Sequence, residues 1–198
     1  MLAVPRYTVR RNAFEPERTW SIEPSGLAWK SADASGHIGF GEIASLRLEW
    51  AATRADRFRF ACHVAASGGG TEAIVSTTYA GPMNFPDQAD AYVPFIRELV
   101  RRVSQENPGC RFEAGATSFR WLASLAAMTL GLIFLGMVLL SIGLPLTGLI
   151  AVKLALLAFL VPLAIAWIRK NRPRHFVPPA IPRNVLPPLT AHSSSQER

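Results

Sequence analysis

Apolar and polar positions follow three regimes along this chain. Over residues 18–80 they alternate in short runs, the period of a strand with one buried face. Trp20 and Ile22 oppose Thr19 and Ser21, and Leu27 and Trp29 oppose Ala28 and Lys30. Ile38 and Phe40 continue the series, and Leu46, Leu48 and Trp50 oppose Ser45, Arg47 and Glu49. Phe58, Phe60, Cys62 and Val64 oppose Arg57, Arg59 and His63. Turn residues separate the runs: Pro24-Ser25-Gly26, where Gly26 is expected to supply a positive φ, then Ser31–Gly36, Thr53–Asp56 and Ser67–Gly70. This spacing predicts a small antiparallel sandwich or barrel. Residues 1–16 read as an extended lead-in between proline breaks, with Tyr7-Thr8-Val9 available as an edge strand.

The second regime has a helical period. Tyr92, Phe95, Ile96, Leu99 and Val103 form one stripe, with Arg97, Glu98, Arg101 and Arg102 on the other side. Asp87 or Asp90 can cap its start, Asn107-Pro108-Gly109 ends it, and Pro94 demands either a late start or a kink. Cys110–Glu113 leads out of it as a short extended stretch. In the third regime polarity nearly vanishes. Residues 119–142 and 149–168 are each long enough to cross a hydrocarbon layer of about 30 Å at about 1.5 Å per residue. Residues 143–148, GLPLTG, join them. The expected fold is therefore α+β: an antiparallel β-domain over 17–113 closed by one amphipathic helix, followed by a two-helix transmembrane hairpin.

The net charge of +7 invites a nucleic-acid reading, but its distribution argues otherwise. Residues 1–118 carry 13 basic and 13 acidic side chains, so the whole excess lies beyond them. There, Arg120 stands at the start of the first apolar run, and Arg169, Lys170, Arg172 and Arg174 follow the second. The loop 143–148 carries no charge. By the positive-inside rule both termini face the cytoplasm, and these five basic residues are candidate contacts for anionic lipid. Lys153, near the outer end of the second run, has no acidic partner in either run and is read as snorkelling to the interface. The tail, 169–198, is basic and then proline-rich. Its six prolines after Pro173's predecessor Arg172 exclude a long helix, and Phe176, Val177, Ile181, Val185, Leu186 and Leu189 are too apolar for a linker. This segment is expected to dock on the β-domain or on a partner.

Several short strands closed by one amphipathic helix resemble a bacterial pleckstrin-homology-like domain. The resemblance rests on Trp20-x-Ile22, Gly26-Leu27-x-Trp29, Ile43-x-x-Leu46-x-Leu48 and the Tyr92–Val103 helix. It implies a partly open barrel with the helix at one end, binding peptides, lipids or neighbouring subunits. Phosphoinositide-binding members place several Lys or Arg in the first hairpin. Here Ser31–Ser35 has none, so a specific inositol-phosphate site is not expected.

Catalytic patterns are missing. Gly68-Gly69-Gly70 is followed by no GK[ST], and no HExxH, GxSxG or CxxC occurs. His63 adjoins Cys62, but neighbours on a strand face opposite ways. Cys62 and Cys110 read as small buried thiols. The sequence reading is thus a non-enzymatic protein of a bacterial inner membrane, without cofactor or metal, contacting lipid and a protein partner and no nucleic acid. The alternative is an accessory subunit of a membrane transporter or a small membrane-bound enzyme.

Overall fold

The computed structural model describes residues 4–141, 158, 162, 165, 168, 172–178 and 180–188. The loop 143–148, Lys153, Arg169, Lys170 and most of the second apolar run lie outside the described residues. The chain divides into two compact units, one formed by residues 1–114 with 174–198 and one by 115–173.

The first unit contains two sheets. β1 (Arg6–Val9), β2 (Arg18–Glu23), β3 (Gly26–Ser31) and β4 (Ser35–Gly39) form an antiparallel meander. A short 3-10 turn, Phe40–Glu42, carries the chain into β5 (Ile43–Trp50). β5, β6 (Phe60–Ala66) and β7 (Thr71–Val75) form a second antiparallel meander. After α1 (Ala89–Glu106), β8 (Arg111–Ala114) pairs with the free side of β5, and β9 (Arg174–His175) pairs with β8. The second sheet is therefore ordered β7-β6-β5-β8-β9. Of the two expected architectures, sandwich or barrel, a closed barrel is not formed. The second sheet departs from the antiparallel expectation: it is mixed, because β8 runs parallel to β5. A parallel neighbour needs a long crossover, which the segment containing α1 supplies.

The stripe on α1 is buried as its spacing predicts: Tyr92, Phe95, Ile96, Leu99 and Val103 all lie in the core. Pro94 sits inside the helix as its sixth residue, past the first turn, so α1 forgoes the bond an N–H there would give to the Asp90 carbonyl. The Asp87 carboxylate accepts from Ala89 N at 3.1 Å, bracing that start. β1 is an edge strand with both Tyr7 and Val9 buried, and the Tyr7 ring meets Tyr92 and Phe95 at 5.8 and 5.7 Å. One cluster joins both sheets, α1 and the tail, since Phe176, Val185 and Leu186 belong to it.

Three local expectations change. Gly26 does not have a positive φ; among the described residues the positive-φ glycines are 69, 70, 81 and 115. A Cβ at Gly26 would instead stand 2.3 Å from the Ile38 carbonyl oxygen. Phe58 does not face inward: it is 75% exposed in the loop before β6. The loop persists because Asp56, itself buried, accepts from Phe58 N at 3.3 Å and from the Thr77 hydroxyl. Glu49, expected in the exposed row of β5, is buried. Glu72 binds Arg18 at 2.5 Å, and Glu49 lies 3.1 Å from His63 Nε2.

In the second unit, α2 (Ser118–Ser141) is capped by Thr117, whose Oγ1 accepts from Arg120 N at 3.2 Å. Its window Ser118–Met137 is long and apolar enough to cross a membrane. Positions 158, 162, 165 and 168 are helical, and Trp121 Nε1 donates to the Ile168 carbonyl at 3.4 Å.

Both cysteines are buried and free. Burial pushes the Cys62 thiol up to about 12 and the Cys110 thiol up to about 11. Neither should react with iodoacetamide in the native protein at pH 8, and both should react in urea. The sign of the pH effect follows. An unfolded thiol ionises near its ordinary value of 9.0, so above that pH the unfolded chain holds fewer protons than the folded one. Stability should fall as pH rises from about 9, by up to about 1.4 kcal/mol per pH unit for each thiol. A Cys62→Ala/Cys110→Ala protein that declines just as steeply would refute this.

Candidate functional site

The tail returns to the first unit through β9. Glu113 faces His175 in register, Ala114 faces Arg174, and Phe176 N donates to the Phe112 carbonyl at 3.1 Å. The Phe112 and Phe176 rings meet at a tilt, centroids 5.8 Å apart. The chain then runs through Pro178, Ala180 and Ile181 to a 3-10 turn, Arg183–Val185, where Val185 and Leu186 enter the core. This path leaves a trough beside α1. One cavity of about 620 Å³ is lined by Arg97, Val100, Arg101, Ser104, Ile181 and Arg183 among others. A second, of about 310 Å³, shares Arg97, Ile181 and Arg183 and extends past Val93 to Pro187 and Pro188.

The trough has an apolar floor and a basic rim. Arg97, Arg101 and Ser104 recur at the i, i+4, i+7 spacing of one helix face. Among the described residues no Asp or Glu lines either cavity. Arg101 is held by Glu98, at 2.5 and 2.7 Å, and by Gln105 at 2.9 Å. Hydrogen bonds from Arg101 and then Arg102 keep the Glu98 carboxyl below its ordinary range. Arg97 and Arg183 make no ion pair among the described residues. Guanidinium groups poised over apolar surface suit a ligand with carboxylates or other anionic oxygens flanked by apolar groups.

Three of the five residues singled out for lipid contact are described. Arg120 is exposed in the first turn of α2, Arg172 is exposed just before β9, and Arg174 is exposed on β9. Arg169 and Lys170 lie outside the described residues. The remaining polar clusters are structural. On the outer face of the second sheet His63, Arg47, Glu113 and His175 occupy one cross-strand row, with Arg47 bound to Glu113. Cys62 points into the core on the opposite face from His63, so the two do not form a nucleophile pair. Between the sheets, Arg18 lies 4.1 Å from the Trp29 ring centroid and 5.5 Å from that of Trp20 while binding Glu72. Among the described residues no three His, Cys, Asp or Glu side chains group as a metal site.

The trough was hard to foresee because its two walls are far apart in sequence. The one available signal was Arg97 and Arg101 a helical turn apart on the polar face of α1. No protein-family model matches this chain, and neither a curated protein nor a solved structure matches it.

Proposed function

We propose that this chain is a non-enzymatic integral membrane protein whose cytoplasmic domain is a membrane-tethered interaction module, gripping an acidic segment of a protein partner in the α1–tail trough. The observation that carries this reading is the pairing of Arg97 and Arg183 with an apolar floor, the two arginines having no ion pair and no acidic lining residue among the described residues. A pleckstrin-homology-like reading of the domain draws support from its order: two antiparallel meanders followed by one amphipathic helix. β8 and β9 are additions to that plan. The tether reading draws support from α2 and from the register pair Ala114–Arg174, through which both chain crossings leave the domain side by side. The inner-membrane location, the second span and the cytoplasmic termini rest on the apolar runs and the basic flanks.

A photo-crosslinking residue at Gln105 in the full-length protein, expressed in its own membrane, tests the trough. Adducts should form with a partner and fall about tenfold in Arg97→Glu/Arg183→Glu, since losing and inverting two exposed ion pairs removes roughly 1–2 kcal/mol. A synthetic peptide alternating Glu and Leu should compete, with affinity falling as salt rises. Adducts indifferent to both the charge reversal and the peptide would reject the site.

A further inference from the structure

We infer that one end of the soluble unit is a lipid-contact face, seated on an anionic bilayer through Phe14, Phe58 and Met83. The inference rests on the reading of α2 as a membrane span. Strand directions define the end. β5 runs parallel to β8, with Leu48 opposite Ala114, and antiparallel to β6, with Leu48 opposite Cys62. Ala61 on β6 faces Val75 on β7. The loop from β5 to β6, the segment after β7 and the exit toward α2 therefore share one end of the second sheet. The β1–β2 loop joins them, because Tyr79 N donates to the Arg10 carbonyl at 2.7 Å and Arg10 N to Thr78 Oγ1 at 3.1 Å.

Each of the three loops holds one large apolar side chain out into solvent. Phe14 is 97% exposed, Phe58 75% and Met83 74%. These are built presentations. Asn12 Oδ1 accepts from Phe14 N and Glu15 N at 2.9 and 3.0 Å, and Arg10 donates to the Glu15 and Ala13 carbonyls. Asp56, fixed by Thr77, holds Phe58 N. Met83 is, among the described residues, the non-glycine residue with positive φ, 59°, in the turn closed by Asn84 N and the Gly81 carbonyl. That position, two after Gly81 and directly after Pro82, favours glycine or asparagine, and strain of this kind concentrates where a function holds it.

The surroundings select the occupant. The tips, residues 12–14 and 80–85, carry no charge. Arg54 and Arg57 are exposed beside Phe58, Glu15 is neutralised by Arg11 at 2.6 Å, and Asp56 is buried. Three separate convex tips with arginines nearby match the headgroup–acyl boundary of an anionic bilayer better than a partner's groove. The bilayer is also within reach: α2 begins four residues after Ala114, at most about 14 Å of extended chain.

The test uses full-length protein in nanodiscs, with a nitroxide at Met83→Cys; the native thiols are buried and should stay unlabelled. In discs of about one-third phosphatidylglycerol, collision with a water-soluble nickel chelate should fall about tenfold relative to a label at Gly68→Cys, in the β6–β7 turn at the other end of the sheet. Arg54→Glu/Arg57→Glu should restore it. Water exposure at 83 equal to that at 68 overturns the inference, as does protection at 83 that persists unchanged in neutral discs. A label at Leu130→Cys on α2 separates the two readings. If 130 is lipid-protected and 83 is not, the span stands and the contact face fails; if 130 is open to the chelate, the span itself fails and the contact face falls with it.

Discussion

Phe176→Ala is expected to lower the stability of the soluble unit by about 3–4 kcal/mol, while Val177→Ala next to it changes stability by less than about 0.5 kcal/mol. The contrast follows from burial. Phe176 is 9% exposed, packs at a tilt against Phe112 and belongs to the same core as the sheets and α1, whereas Val177 is 78% exposed. Removing the ring strips Phe112 of its neighbour and leaves a cavity at the edge of the second sheet. The β9 ladder is only two residues long, so the Phe176 anchor and the Val185–Leu186 anchor hold the tail together. Losing one should free the other, and with it the wall of the trough formed by Ile181 and Arg183. Urea denaturation of the full-length protein in mild detergent, followed by tryptophan fluorescence, measures the stability change. Hydrogen exchange at Ala114 and Phe176 reports undocking directly. If the tail were a solvated proline-rich linker, both substitutions would be neutral.

The tail also marks how far the sequence could be read. Its apolar residues among prolines signalled docking, because a linker has no use for Phe176 or Leu186. Where it docks was illegible, since β9 has no alternation to read and pairs through backbone groups alone. α1 was legible because five apolar side chains repeat at helical spacing against one core. The core face of β5 was legible through Leu46 and Leu48. Phe58 misled because Arg57-Phe58-Arg59-Phe60 alternates like a strand. The deciding contact, Asp56 with Thr77 and Phe58 N, joins residues too far apart for a local pattern to show. β8 beside β5 was hidden for a similar reason: four residues carry little periodicity, and parallel pairing across a helical crossover leaves no turn signature. The trough inherits that obscurity, being walled by α1 and by a tail that only β8 and β9 bring back.

Gly26→Ala should destabilise the protein by about 3 kcal/mol, at the upper end for overpacking, because the obstructing atoms cannot rotate away. The added carbon would meet the Ile38 carbonyl oxygen at 2.3 Å and the Gly39 Cα at 2.9 Å, both backbone of the paired strand β4. β3 and β4 would have to separate at Gly26–Gly39, where the chain prepares to pass through Phe40–Glu42 into the second sheet. Phe40 is buried, so the displacement would reach the core. Had Gly26 served by a positive φ, asparagine would substitute tolerably, since it enters the left-handed region more readily than alanine. Close approach makes the opposite forecast: Gly26→Asn should be at least as damaging as Gly26→Ala, because any Cβ clashes. Gly69→Asn provides the comparison. There φ is 91° and the space around a Cβ is empty, so the penalty is conformational alone and should stay near 1 kcal/mol. Thermal unfolding of the three variants ranks them. An asparagine at 26 that outperforms alanine would show that backbone conformation, and not the distance between β3 and β4, makes glycine necessary there.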